Sequence, residues 1–179
     1  MSEIKIQANS SGGGVYTLQS GTGSTDRTIT LPDKAGEVAV GAGTVVQVVF
    51  GSISTQASTT STSFVDTGLT ATITPTSSSN KILVLVNQRV YAQTDCRASV
   101  ALYRGGSDVS PVADITRYGL HDSSSVGGGD FFTLSYLDSP SSTSAQVYKT
   151  VYKRQAGSAS IFVQIDDDLS TITLMEIVA

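Results

Sequence analysis

The chain has 179 residues, a formal net charge of −4, 39% hydrophobic residues and only 15% charged ones. That size suits one large all-β domain, or a domain with an extension, and that hydrophobic share can build a packed core. Three things are excluded. No basic cluster exceeds the pair Lys153-Arg154, as nucleic-acid binding would need; no apolar run is long enough to insert into a membrane; and one cysteine, Cys96, rules out an internal disulfide.

Taken in chain order, Met1 to Gly14 holds no hydrophobic signal core, the expectation for a protein made in a cytoplasm. Alternation of apolar and polar residues then dominates, and helical periodicity is hard to find. Short strands are predicted at Val15–Gln19, Arg27–Leu31 and Glu37–Val40. Longer ones follow at Thr44–Ser54, Phe64–Thr74, Lys81–Gln93, Arg97–Arg104, Val112–Gly119, Asp130–Asp138, Ala145–Gln155, Ala159–Asp166 and Ser170–Val178. Between them lie Gly, Ser, Asp and Pro, the residues of turns. Strands at this regular spacing indicate an all-β fold, an antiparallel β-sandwich or jelly roll over residues 44–179. Ile82, Val84 and Val86 share one face of their strand and Leu83 and Leu85 the other, a two-sided apolarity expected near the middle of a packed sheet.

Residues 1–43 read as an extended N-terminal β-arm. Its strand-borne apolar residues are Val15, Leu18, Ile29, Leu31, Val38 and Val40. These return less free energy on burial than fixing the arm's backbone costs, so an ordered arm must lie on another surface. The turn "PDKAG" favours order, because Pro32 fixes φ, Asp33 suits a turn and Gly36 tolerates positive φ.

No catalytic constellation emerges, and the expectation is a protein without enzymatic activity or cofactor. His121 is the one histidine, and it lies in a polar loop beside Asp122. Acidic residues such as Asp114, Asp130 and Glu176 fall on separate predicted strands, with nothing to select a hydrolytic pair. Asp166–Asp168 could offer oxygen ligands to a hard cation, or serve as a hairpin turn between two strands. The triplets Gly12–Gly14 and Gly127–Gly129 lack the helix and Lys-Ser/Thr partner of a phosphate loop. The strand "VYKTVYKR" places Tyr148 and Tyr152 on one face and Lys149 and Lys153 on the other. Tyr148, Tyr152 and His121 are the candidate surface-binding residues, for a carbohydrate or a protein.

Two stretches carry a resemblance. "GVYTLQSGTGSTDRTITLPDKAGEVAV", from Gly14 to Val40, resembles a segment of bacteriophage structural proteins that introduces a C-terminal β-domain. Val45 to Ala92, with "TSFVDTGL" and "ITPTSSSNKILV", together with the later "ITLMEI" strand, is similar to such a domain. The resemblance implies a jelly-roll-like β-sandwich domain in a virion structural protein without enzymatic activity, a homotrimer, and either a capsid decoration (cement) protein or a tail-fibre-like domain. It implies as partners further copies of the chain and the major capsid protein, with host-surface glycan as partner in the tail-fibre case. The unit around Pro32 would then be an assembly arm.

Overall fold

In a computed structural model the described residues are 41–109 and 128–179. The predicted strands before residue 41 and at 112–119, the arm residues Val15, Leu18, Ile29, Leu31, Pro32, Val38 and Val40, and His121 lie outside them.

Ten strands are present among the described residues. They are β1 (Val45–Ile53), β2 (Ala57–Thr59), β3 (Val65–Ile73), β4 (Lys81–Ala92), β5 (Arg97–Arg104), β6 (Ser107–Asp108), β7 (Gly128–Asp138), β8 (Gln146–Ala156), β9 (Ile161–Val163) and β10 (Ser170–Ile177). All pairings are antiparallel. Sheet A contains β1, β10, β4 and β7, with β9 and β2 continuing alongside β4; sheet B has the order β3-β8-β5-β6. The pairs β1 with β10, β3 with β8, β4 with β7 and β5 with β6 are nested, one inside the next, around the turn at Gly105-Gly106. A long hairpin rolled so that successive pairs alternate between two sheets is a jelly roll.

The reason lies in the alternation. Along β3 and β4 every second residue is buried, so each strand has a core face and an outer face. The core joins Leu69 and Ile73 of β3, Ile82, Val84, Val86 and Val90 of β4, Val100 and Leu102 of β5, and Ile172 and Leu174 of β10. Burial of such side chains stabilises the fold by about 1.5–3 kcal/mol each.

β4 is central, as its two-sided apolarity suggested, but no second layer among the described residues covers Leu83 and Leu85, which are only half-buried. The aspartate triplet is not a hairpin turn. β9 and β10 both pair with β4 on the same side, so they are one strand line broken by a short 3-10 turn at Ile165–Asp167. Gln164, Asp166 and Asp167 have φ of 52°, 56° and 58°, and that left-handed run pushes the segment out of the ladder. The predicted strand Ala159–Asp166 is accordingly shortened to Ile161–Val163.

Two polar clusters lock the sandwich. The Glu176 side chain, fully buried on β10, accepts hydrogen bonds from Thr76 N (2.7 Å), Thr76 Oγ1 (2.8 Å), Asn80 Nδ2 (2.7 Å) and Gln47 Nε2 (2.6 Å). These fasten the β3–β4 connection to sheet A. Asp138, at the end of β7, accepts from Tyr148 Oη (2.7 Å) and Arg104 Nη1, and so ties sheet A to sheet B. In the β8–β9 turn Gly157 has φ 85°, and a Cβ there would lie 2.0 Å from the Asp95 carbonyl oxygen. Only glycine fits that approach.

Candidate interaction surfaces

Sequence register places a specific set of side chains on the outer face of sheet A. One cross-strand row is Val48, Met175, Leu83 and Leu137; the next is Phe50, Thr173, Leu85 and Ser135; the third is Ser52, Thr171, Asn87 and Thr133. The face thus grades from apolar to hydroxyl and amide along the strands. Val48, Phe50 and Leu137 are 57%, 62% and 46% exposed. Contiguous exposed apolar surface of this kind marks an interaction site on a soluble protein. Farther along, Arg89 lies over the Phe131 ring at 5.4 Å and pairs with Asp168 at 3.3 Å, while Tyr91 and Phe162 meet edge-on.

The outer face of sheet B is different in kind. It holds a cleft of about 490 Å³ lined by Thr62, Ser63, Phe64, Asp66, Tyr103, Gly106, Lys149, Val151 and Lys153. β8 supplies Lys149, Val151 and Lys153 by alternation, and the segment entering β3 supplies Phe64. Lys153 Nζ sits 4.4 Å from the Phe64 ring centroid, Phe64 and Tyr103 are 5.8 Å apart, and Lys149 pairs with Asp66 at 2.7 Å.

Tyr148 and Tyr152 do not form a binding surface. They are 0% and 1% exposed and occupy the core face of β8. The predicted alternation of tyrosines and lysines is present, but the lysine side is the accessible one. Inward tyrosines fill the space between the sheets, and the buried Tyr148 hydroxyl finds Asp138. Burial, reinforced by the Asp138 hydrogen bond and charge, raises the Tyr148 phenol well above its ordinary value, with Arg104 opposing. Burial alone pushes Tyr152 up to about 12. The cleft residues Phe64 and Asp66 were missed because they meet Tyr103 and the β8 lysines only through long-range strand pairing. The one local signal was the pair Lys149 and Lys153 opposite the tyrosines.

Burial by itself would raise the Glu176 carboxyl, but the hydrogen bonds from Gln47, Asn80 and Thr76 outweigh it and bring it down to about 2. That carboxylate is spoken for by structure. The aspartates at 166–168 do not converge: among the described residues no group of three His, Cys, Asp or Glu side chains is placed to hold a metal ion. Cys96 is buried and accepts a hydrogen bond from Ala159 N at 3.1 Å.

No family model matches the chain, and no curated protein matches it. Among solved structures, a chain described as "Cyanophage Pam1 capsid asymmetric unit" is similar over 84% of this chain and 98% of its own, with 16% identity and a TM-score of 0.34. A likeness that low assigns neither role nor location.

Proposed function

We propose that this chain is a non-enzymatic structural protein of a bacteriophage virion, a homotrimeric capsid decoration protein whose copies associate through the outer face of sheet A. The observation that carries this reading is the apolar end of that face, where Val48, Phe50, Met175, Leu83, Leu85 and Leu137 form adjoining rows across four strands. The occupant is another copy of the chain. Among the rows through Val48 and Phe50 there is no charged residue, so subunits of net charge −4 can approach there without bringing like charges together. In a trimer the three copies would turn this face toward a common three-fold axis, each packing its apolar rows against a neighbouring copy. The resemblance of Gly14–Val40 and Val45–Ala92 to phage structural segments supports the virion setting. In that setting the arm residues, Val15 to Val40, would attach the domain to the major capsid protein.

The test is the copy number of the chain in purified particles of the phage that encodes it, relative to the major shell protein, by quantitative mass spectrometry. A ratio near that of the shell protein is expected. A ratio far below it would move the chain to the tail, and absence from particles would overturn the reading.

A further inference from the structure

The cleft on sheet B has a composition that the assembly reading does not use. Its floor is Val151, 3% exposed, and its walls include the rings of Phe64 and Tyr103. Its volume falls within the roughly 300–1,000 Å³ typical of small-molecule sites. The rim is built, not loose. Ser61 N–H donates to Thr59 Oγ1 (3.0 Å), Ser63 N–H to Ser61 Oγ (3.0 Å), Ser61 Oγ to Ser63 O (2.8 Å), and Arg154 N–H to Ser61 O (2.8 Å). These bonds pin the segment that carries Thr62, Ser63 and Phe64 onto β8.

The charges are unequal. Lys149 is engaged by Asp66. Lys153 rests on the Phe64 ring, and among the described residues it is in ion-pair range of no carboxylate. A cation over an aromatic ring retains donors for a second partner. Among the described residues the cleft therefore offers one positive charge without an ion-pair partner, ring and aliphatic surfaces that suit C–H groups, and hydroxyls at the rim. A ligand complementary to all three has a ring with an apolar side, several hydroxyls and one carboxylate.

We infer that this cleft binds an acidic sugar residue, its carboxylate on Lys153 and its ring against Phe64 and Tyr103. The inference holds wherever on a particle the chain sits. A uronic acid and a nonulosonic acid share the chemistry and differ in source, so both belong in the test.

The full chain, labelled with ¹⁵N, is titrated with glucuronate, N-acetylneuraminate, glucose and inorganic phosphate, and amide shifts around the cleft are followed. At least one acidic sugar is expected to shift them, with glucose and phosphate at least about tenfold weaker. Lys153→Met should weaken that binding about tenfold or more. Lys149→Met, which leaves Lys153 in place but frees Asp66 to face the ligand, should also weaken it, and gives a second reading if the first variant fails to fold. Val147→Ala, on an exposed residue of β8 outside the cleft lining, should bind as the parent does. Glucose binding as tightly as the acids would reduce the site to a ring contact, and phosphate binding as tightly would reduce it to a charge. Either result, no binding by both acids, or indifference to both lysine variants overturns the inference.

Discussion

The two sheets turn opposite chemistry outward. Sheet A presents Val48, Phe50 and Leu137 in open rows; sheet B presents lysines, an aspartate and two aromatic rings around a hollow. Both outer faces come from the same alternation, and both sheets share one core, so the difference is not needed for folding. An apolar row on a free sheet face is a cost in water that only a covering surface offsets. A charged hollow costs little in water and gains only from a ligand that fits it. The first face is suited to permanent contact and the second to reversible contact.

The largest expected effect tests the first face. Val48→Lys with Phe50→Lys should reduce the proposed assembly to monomers while circular dichroism stays that of a β-protein, because both side chains already face solvent in the single chain. Light scattering reads the mass. The pair Lys149→Met and Lys153→Met should leave the mass unchanged. If it does not, the two faces are not separate in function.

Next in size is a change that ought to affect both faces together. Glu176→Ala removes the acceptor of four hydrogen bonds and leaves Gln47, Asn80 and Thr76 short of partners, at about 2–4 kcal/mol in urea unfolding. The sign with pH follows from the depressed carboxyl. Its folded value of about 2 lies below the ordinary 4.5, so its stabilisation is complete above about 4.5 and declines as pH falls toward 2. Unfolding measured from neutral to acid pH should show that decline in the parent and a flatter profile in Glu176→Gln.

A smaller effect of opposite sign is expected at Gln88. Its side-chain amide is fully buried on the core face of β4, and neither its nitrogen nor its oxygen has a hydrogen-bond partner among the described residues. Gln88→Leu should stabilise by about 1 kcal/mol, read as a higher urea midpoint. An unchanged or lower midpoint would mean the amide is satisfied in solution.

The least perturbing experiment sharpens the distinction between the sides of β8. In an alkaline titration followed by tyrosinate absorbance, Tyr148 and Tyr152 should remain protonated past the point where exposed tyrosines ionise. Because folding raises their pKa, the stability they contribute is full below about 10 and is lost as pH rises through the raised folded values, about 12 for Tyr152. Normal ionisation of all seven tyrosines would reverse the assignment of that strand's inner face.

Strand existence was legible wherever alternation was strong. Arg97–Arg104 is a strand over the predicted residues, and β1, β3, β4, β7, β8 and β10 differ from prediction only at their ends. The break between β9 and β10 was not legible. "IFVQID" alternates straight through Gln164, and the left-handed turn that interrupts it depends on the local backbone of Gln164, Asp166 and Asp167. β2 and β6 are three and two residues long, too short for any period to register. For the surfaces, alternation shows that β8 has two sides but not which is inward, since tyrosine and lysine both tolerate half-burial. The sandwich decides it by enclosing the side with Tyr148 and Tyr152. The β4 part of the apolar rows of sheet A is visible as "ILVLV", but its two-sided apolarity reads as a place near the middle of a packed sheet, because a sequence cannot say whether a layer covers Leu83 and Leu85.

The nested pairing has a consequence in time. β5 and β6 are joined by a tight turn, whereas β1 and β10 come from opposite ends of the domain and bear the greatest loop-closure entropy of the four pairs. Folding is therefore expected to zip outward and to seat β1 last, an order that pulse-labelled hydrogen exchange would expose. β1 carries Val48 and Phe50, so the apolar rows of sheet A are completed only at the final step, and under the proposed assembly a half-folded chain would have no finished surface with which to recruit its neighbours.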